Sequence, residues 1–196
     1  MEKSTLGEIL IKVLEQYDVE FIFGIPGVHT VELYRNIVKS KIRHITARHE
    51  QSVGFMADGY ARISGKPGVC FVITGPGVTN ILTAMAQARS DSIPMLVISG
   101  VNDLTKNNKK RAPLHELPNQ AKLIKQVAIA SYTVKKSKNI VKVLHKAFLK
   151  MTLGRPGPVH IQIPIGVMTK SLPMIQAIKP LSYQFSKNGP LETQQA

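Results

Sequence analysis

The sequence predicts an α/β fold: a doubly wound, six-stranded parallel sheet with helices on both faces. Two observations predict it. Short, continuously apolar runs suit strands that are buried on both faces, and amphipathic helical stretches alternate with those runs. The 196 residues are 43% hydrophobic, which is enough to form a core. Charges interrupt the N-terminal apolar stretch and no apolar run reaches about 18 residues, so neither a signal peptide nor a membrane span is expected.

The helices are predicted from apolar periodicity and from the residues that stop them. The first helix places its apolar residues between Leu6 and Leu14 on one face. The third is followed by glycine and proline within Gly65–Gly68, and the fourth is rich in small residues that allow close packing. The predicted helices are Thr5–Gln16, Val31–Val38, Glu50–Ile63, Gly77–Arg89 and Asn139–Thr152.

The strands are predicted from the short apolar runs between these helices. They are Phe21–Ile25, Arg43–Thr46, Val69–Ile73, Met95–Ser99, Ser131–Val134 and Val159–Ile163. Asn102–Asn119 is predicted to be a polar loop, of a length that usually has a function. Residues 1–170 are expected to form one domain, and residues 171–196 a linker or the start of a further domain.

The charge of +14 is concentrated in one segment. Residues 101–150 hold 12 lysines and arginines against 2 acidic residues, whereas residues 1–100 hold 10 against 9. A basic segment can be a solvated face, can steer small anions or can bind nucleic acid. No aromatic residues interleave with the lysines and no nucleic-acid motif accompanies them, so a solvated face is the preferred interpretation and no nucleic acid is expected.

The single cysteine, Cys70, excludes an internal disulfide framework and a cysteine zinc cluster. It lies within a predicted strand, where a buried thiol acting as a small hydrophobe is expected. A chain with this cysteine usage is predicted to be cytoplasmic.

Three turns are predicted to meet at one edge of the sheet. Pro26-Gly27, Glu50 and Gly75-Pro76-Gly77 each follow the carboxyl end of a predicted strand, where ligands bind in this architecture. Glu50 could instead only favour the positive end of a helix dipole. The glycine turn matches neither the P-loop nor the GxGxxG pattern and could be a simple tight turn. His115 is a candidate if its loop folds over this edge.

Several motifs, taken together, carry a family resemblance. They are RHEQ at 48–51, ADGYAR at 57–62, GPG at 75–77 with Asn80, DSIP at 91–94 and GRPGP at 154–158. In this order and spacing they closely resemble the N-terminal pyrimidine-binding domain of thiamine-diphosphate enzymes of the acetolactate synthase and 2-oxo acid decarboxylase family. The resemblance covers roughly residues 4–170.

The resemblance implies roles for the residues at this edge. The carboxyl of Glu50 would hydrogen-bond a ring nitrogen of the cofactor aminopyrimidine, promote its imino tautomer and so lead to the C2 ylid. His115 would be a catalytic proton relay. The implied cofactor-binding residues are Ile25, Pro26, Gly27, Val28, Glu50, Ile73, Gly75, Pro76, Gly77 and Asn80. No metal ligand is implied in this chain: Mg²⁺ and the diphosphate would lie on a further domain, and FAD is possible in the parent.

The resemblance leaves the reaction open. Val28, and the stretch Leu114-His115-Glu116, depart from acetolactate synthases and resemble the branch that includes 2-oxoarginine (5-guanidino-2-oxopentanoate) decarboxylase. A 2-oxo acid decarboxylase is therefore preferred, with an acetolactate synthase fragment next; sulfopyruvate decarboxylases and glyoxylate carboligases stay possible. A non-catalytic basic binding module is the alternative from another class. The chain alone is expected to be inactive.

The resemblance also implies association. A homodimer is expected, with a tetramer possible, built on the helices after Glu50 and Gly77. These helices carry small or apolar residues on more than one face, and part of that surface is expected to be exposed in the isolated domain and to form the contact; the residues are Phe55, Met56, Ala57, Gly59, Ala84, Met85 and Ala88.

Overall fold

The computed structural model describes residues 3–102 and 113–173, without the side chain of Lys3. The strands are β1 Lys3–Thr5, β2 Phe21–Gly24, β3 Arg43–Thr46, β4 Gly68–Val72, β5 Met95–Val101, β6 Ala130–Thr133, β7 Pro158–Pro164 and β8 Ser171–Pro173. The helices are α1 Leu6–Gln16, α2 Val31–Tyr34, α3 Glu50–Ser64, α4 Pro76–Ser90, α5 Gln120–Ile124, α6 Ile140–Thr152 and α7 Ile165–Met168. Short 3₁₀ helices form at Ile37–Lys39 and Ser137–Asn139. Over these ranges, each helix is too short or too polar to cross a membrane.

Six of the strands form one parallel sheet in the order β3-β2-β4-β5-β7-β6, which confirms the predicted fold class. The central strands are buried along their whole length, as their continuous apolar runs predict. A separate two-stranded antiparallel sheet pairs β1 with β8. Neither of these strands is predicted from the sequence, and β8 extends three residues beyond the predicted domain boundary at 170.

The helices divide between the two faces of the sheet. Residues of α1, α2 and α6 pack in one apolar cluster, and residues of α3, α4 and α5 pack in the other. The connection that follows β2 therefore leaves on one face, and the connection that follows β4 leaves on the other. Because β2 and β4 are neighbours, their carboxyl ends form the switch point of the sheet, where this architecture has its ligand-binding crevice.

The helix predicted over Val31–Val38 is interrupted, and that prediction was wrong in its length. The α-helical part ends at Tyr34, and a 3₁₀ turn follows. The side-chain amide of Asn36 donates to the carbonyl oxygen of Glu32 at 3.2 Å. A continuing helix would use that same carbonyl for the backbone N–H of Asn36, so the side chain competes with helix formation.

Two of the sequence motifs are tied together by a buried charge. Asp58 of α3 is 3% exposed, and its carboxylate accepts from Arg62 at 2.7 Å. Arg62 also reaches Asp91 at the end of α4, at 2.5 Å. The hydrogen bonds that Arg62 donates, first to Asp58 and then to Asp91, raise the pKa of Arg62, so the guanidinium stays charged. This bridge fixes α3 against α4 and accounts for Asp58 being inside a helix that otherwise packs on the sheet.

The small residues of α4 belong to the core of this chain. Ala57, Ala84, Met85 and Ala88 are all fully buried within it. A Cβ added at Gly54 of α3 would lie 2.4 Å from the Cβ of Ala84, so the two helices need a glycine at this crossing. These four members of the predicted surface are therefore not exposed, whereas Phe55 of α3 is 41% exposed. Their size serves close packing between α3 and α4.

Cys70 and the basic segment match the preferred interpretations. Cys70 is fully buried, its thiol lies 3.8 Å from the carbonyl oxygen of Val53, and burial raises its pKa. The lysines from Lys122 to Lys150 are all exposed, as a solvated face requires. The remaining basic run, at 106–111, lies outside the described residues.

Candidate cofactor site at the carboxyl edge of the sheet

The crevice between β2 and β4 is lined by the turns that follow these strands. Ile73, just after β4, lies between them: a Cβ added at Gly27 would approach its Cγ2 to 2.5 Å, and one added at Gly77 would approach its Cγ1 to 2.7 Å. Glycine is therefore required on both sides of Ile73. The two turns predicted to share one edge contact each other through this side chain.

Glu50 is the first residue of α3 and lies beside the turn that opens α4. Its Oε2 accepts a hydrogen bond from the side-chain amide of Asn80 at 2.9 Å. A Cβ added at Gly77 would lie 3.5 Å from Oε1. Among residues 3–102 and 113–173, no hydrogen bond reaches Oε1. The carboxylate is thus held by one oxygen and offers the other to the crevice.

The backbone of the glycine turn is itself specialised. Gly75 has φ +64°, in the left-handed region that side chains other than glycine rarely adopt. It caps α4 without a side chain, and Pro76 follows at the first position of the helix, which needs no donor there. A Cβ at Gly75 would lie 2.4 Å from the carbonyl oxygen of His115. The loop that carries His115 therefore lies directly against the turn.

The remaining predicted residues line the outer part of the same edge. Ile25 is half-buried, Pro26 is exposed, and Val28 is 70% exposed. An apolar side chain as exposed as Val28, beside a crevice, is available for contact with a ligand. Glu50, Ile73, Gly75, Gly77 and Asn80 form the inner part. All of the predicted site residues thus lie along one edge of the sheet.

The sequence analysis missed a buried glutamine behind the turn. Gln120, the first residue of α5, is 2% exposed. Its Oε1 accepts from the hydroxyl of Thr74 at 2.7 Å and from the backbone N–H of Gly75 at 3.4 Å. Its amide nitrogen donates to the hydroxyl of Ser99 at 2.9 Å. This side chain joins the glycine turn to β5, and its place at the end of the predicted polar loop was the only signal for it.

The network continues from Gln120 into the sheet. The hydroxyl of Ser99 lies 2.8 Å from Nε2 of His160, whose Nδ1 lies 2.9 Å from the hydroxyl of Ser131. His160 is fully buried, and burial lowers its pKa to about 3. It is therefore neutral at physiological pH, with one ring nitrogen donating and the other accepting. The turn is braced by a hydrogen-bonded chain that spans three strands.

Comparison with known proteins identifies a family for this chain. The family model described as thiamine pyrophosphate enzyme, N-terminal TPP binding domain, matches residues 4–124. A probable 2-ketoarginine decarboxylase of Pseudomonas aeruginosa is 49% identical over 164 residues, which are 84% of this chain and 29% of that protein.

Acetolactate synthases are also similar. The isozyme 1 large subunit of Escherichia coli is 38% identical over 169 residues, 86% of this chain and 30% of that protein. The chloroplastic enzyme of Arabidopsis thaliana is 35% identical over 159 residues, 81% of this chain and 23% of that protein. The chain thus spans less than a third of the length of these relatives. It belongs to the thiamine pyrophosphate enzyme family and corresponds to the N-terminal TPP-binding domain of that family.

Proposed function

We propose that this chain binds the aminopyrimidine half of thiamine diphosphate in the crevice between β2 and β4, as part of a 2-oxo acid decarboxylase, and that Glu50 activates the bound ring. The observation that carries the proposal is the position of the Glu50 carboxylate. Asn80 holds Oε2, and Oε1 lies beside Gly77 without a hydrogen bond from any described residue. A helix-start carboxylate that only favoured the dipole would need no such partner from the next helix.

The residues of the crevice suit a flat aromatic ring. Gly27 and Gly77 let the backbone approach Ile73 closely, and Ile73 supplies an apolar surface between the two turns. Pro26 and Val28, with the backbone of the Gly75-Pro76-Gly77 turn, would bound the ring from outside and limit its access to water. When bound, thiamine diphosphate supplies the electron sink for cleavage of the bond next to a 2-oxo group.

Glu50 would act on the ring through a shared proton. A carboxyl group can donate to or accept from a ring nitrogen of moderate basicity, and a partly dry site strengthens that hydrogen bond. Asn80 keeps the carboxylate oriented, because its amide donates to Oε2 and leaves Oε1 to face the ligand. His115 would move a proton at a later stage, from a loop that lies against Gly75.

Replacing Glu50 in the enzyme that contains this domain tests the proposal. Glu50→Gln keeps the shape and a hydrogen bond but removes the acid, so turnover is expected to fall by about 10²–10⁴. The affinity for the cofactor should change little, because the diphosphate and Mg²⁺ are proposed to bind a further domain. Loss of the thiazolium C2 proton, followed by NMR, should slow together with turnover.

Glu32→Gln is the matched control. Glu32 is also an acid in the first turn of a helix, but it pairs with Arg35 at 3.1 Å on the other face of the sheet. It should leave turnover and proton loss unchanged. If Glu50→Gln loses the thiazolium C2 proton at the wild-type rate, then Glu50 only favours the helix dipole, and the proposal is wrong.

The substrate is proposed from the relatives and from two residues. The relative named as a 2-ketoarginine decarboxylase is the more similar, and the sequence departs from acetolactate synthases at Val28 and His115. The 38% identity to an acetolactate synthase supports carboligation as the second candidate. Supplying 5-guanidino-2-oxopentanoate and, separately, pyruvate distinguishes them. A decarboxylase releases carbon dioxide and an aldehyde from the first, and a synthase condenses two molecules of the second into acetolactate with release of one carbon dioxide. A flavin in the purified parent would favour the synthase.

The association partner is proposed to be a second copy of the chain. Phe55, Gly59 and Ile63 follow one another at helical spacing on the outer face of α3. Phe55 is 41% exposed, Ile63 is 92% exposed, and a Cβ at Gly59 would meet nothing within 4 Å. An exposed apolar stripe with a glycine at its centre suits a closely approaching helix. We propose that this stripe, here called the α3 stripe, forms a homodimer contact; a tetramer would need a further surface.

A further inference from the structure

The turn after β2 and the loop of His115 are connected by side chains whose role the cofactor site does not explain. His29 is 2% exposed, and its backbone lies on β5: a Cβ at Gly100 would lie 2.3 Å from its carbonyl oxygen. Nε2 of His29 lies 3.2 Å from Oδ1 of Asn102. The side-chain amide of Asn102 in turn donates to the carbonyl oxygen of Leu114 at 3.0 Å.

These contacts determine the protonation of the His29 ring. Because the carbonyl of Leu114 can only accept, the nitrogen of the Asn102 amide must face it, and the oxygen must face His29. That oxygen can only accept, so Nε2 of His29 carries the proton. Burial lowers the pKa of His29, and the nearby His115 lowers it further, against the opposing effects of Asn102 and of the Leu114 backbone. The ring is therefore a neutral donor that points Asn102 at the loop.

The backbone at the end of this connection is in an unfavourable conformation. His115 has φ +56°, a left-handed value that residues other than glycine rarely adopt. Such residues persist where the surrounding structure holds them, and they cluster at functional sites. His115 is held on two sides. Its carbonyl oxygen occupies the space that a side chain at Gly75 would need, and its neighbour Leu114 is bound by Asn102.

The two histidines also lie side by side. The ring centroids of His29 and His115 are 5.9 Å apart, with an angle of 55° between the ring planes. The contacts therefore run from the β2 turn, through the end of β5, to the residue that precedes His115, and then back to the β4 turn at Gly75. His115 is therefore held by contacts among the described residues.

We propose that His29 and Asn102 are a pair of positioning residues that hold His115 in its left-handed conformation beside the Gly75 turn. The inference deepens the proposed function, on which it depends only for the chemical role of His115. In this proposal, His29 does not itself transfer a proton in the reaction. It predicts that the orientation of His115 is lost when either hydrogen bond of Asn102 is lost, while the crevice around Glu50 stays intact.

Backbone amide exchange in the 196-residue chain tests the geometry without any cofactor. Asn102→Asp keeps an acceptor for His29 but removes the donor to Leu114. The amide of Glu116, which donates to the carbonyl of Pro113 at 3.0 Å, reports on the loop. Its exchange should become at least about tenfold faster, and the magnetisation transfer between the His29 and His115 ring protons should disappear.

Asn119→Asp is the matched control, since it makes the same change at the end of the same loop. Within residues 3–102 and 113–173, the side chain of Asn119 only accepts, from the backbone N–H of Lys122 at 3.0 Å, and an aspartate can do the same. Glu116 should exchange at the wild-type rate in this variant. An unchanged Glu116 rate in Asn102→Asp would overturn the proposal. So would an equal acceleration at Ile161 of β7, because that would mean general loss of stability.

Kinetics of the enzyme that contains this domain separate positioning from structure. His29→Phe removes the donor to Asn102, and we expect kcat to fall about tenfold or more with little change in KM. His29→Gln keeps an N–H donor and should restore most of the rate. Loss of the thiazolium C2 proton should stay at the wild-type rate in both, because it depends on Glu50.

The outcomes of the two proposals can be told apart. Slowed proton loss in His29→Phe would show that the substitution disturbs the crevice itself, and would overturn the positioning role. Loss of the thiazolium C2 proton at the wild-type rate in Glu50→Gln would overturn the proposed function. It would not affect the amide-exchange test of Asn102.

Discussion

At the scale of single residues, a polar side chain is accommodated in the interior of this domain where its polar atoms have hydrogen-bond partners. His160 illustrates this, since both ring nitrogens meet serine hydroxyls and no part of the side chain is exposed. Such a histidine is stable only in its neutral form, because charging it would require removing an ion from water. The free-energy cost of keeping His160 neutral should therefore be visible in the pH dependence of stability.

The chain should lose stability below about pH 6.5, in part through His160. Burial lowers the folded-state pKa to about 3, against about 6.5 in the unfolded chain. Between these values the unfolded state binds a proton that the folded state does not. The free energy of unfolding should then fall by up to about 1.4 kcal/mol per pH unit as the pH drops from 6.5 towards 3. His160→Gln should show a shallower slope by that amount in urea unfolding at a series of pH values.

His49→Asn serves as the control for that experiment. His49 is exposed and caps α3, with Nδ1 accepting from the backbone N–H of Gln51 at 3.2 Å. Asparagine is a good residue at this position, so the cap is kept while an exposed histidine is removed. Its slope should match that of the wild type. Equal slopes in all three proteins would show that His160 makes no separate contribution.

At the scale of elements, α3 holds two glycines whose surroundings differ: Gly54 is packed against a neighbouring helix and Gly59 is open. Gly54 faces α4, where a Cβ would lie 2.4 Å from the Cβ of Ala84, whereas at Gly59 a Cβ would meet nothing within 4 Å. Gly59→Ala should therefore raise the free energy of unfolding of the monomeric chain by about 0.5–1 kcal/mol, because alanine loses less backbone entropy in a helix. The same change at Gly54 should destabilise it. Denaturant unfolding at low concentration measures both.

Self-association tests the α3 stripe with the same glycine. If a second copy approaches α3 at Gly59, then Gly59→Leu should weaken the dimer measured by sedimentation of the full-length enzyme, even though it does not destabilise the chain. Glu32→Gln, on the opposite face of the sheet, should not change it. An unchanged dimer in Gly59→Leu would place the contact on another surface.

The elements also show what the sequence could and could not predict. Buried parallel strands were recognisable from their continuous apolar runs, and the turns that follow them could be placed at one edge from the parallel arrangement alone. The strands β1 and β8 could not be predicted, because a strand of three residues shows no periodicity and because their pairing joins opposite ends of the described chain. Which of the small residues of α3 and α4 are buried could not be predicted, because a buried surface and an interface have the same composition. The bonds of Asn102 and Gln120 depend on tertiary contacts that spacing does not reveal.

At the scale of the whole molecule, the two ends of the described chain pair with each other, through β1 and β8. Leu6 donates its backbone N–H to the carbonyl of Lys170 at 3.2 Å, and β8 then pairs with β1. Leu172 packs against the apolar cluster of α1 and α6. A chain ending at 170 should thus be less stable than one ending at 173, by about 1–3 kcal/mol. Equal thermal unfolding of the two truncated chains would put the end of the domain at 170, as the sequence analysis predicts.

The buried thiol has a practical consequence. Cys70 is the single cysteine of the chain, it is fully buried, and its raised pKa disfavours the thiolate that electrophiles attack. A maleimide dye or a nitroxide should therefore attach selectively to a cysteine introduced at an exposed site, without first removing the native one. Val28, 70% exposed at the mouth of the crevice, and Ile63, 92% exposed on α3, are suitable attachment points. One would place a spectroscopic reporter at the cofactor edge and the other on the α3 stripe, in an otherwise unaltered protein.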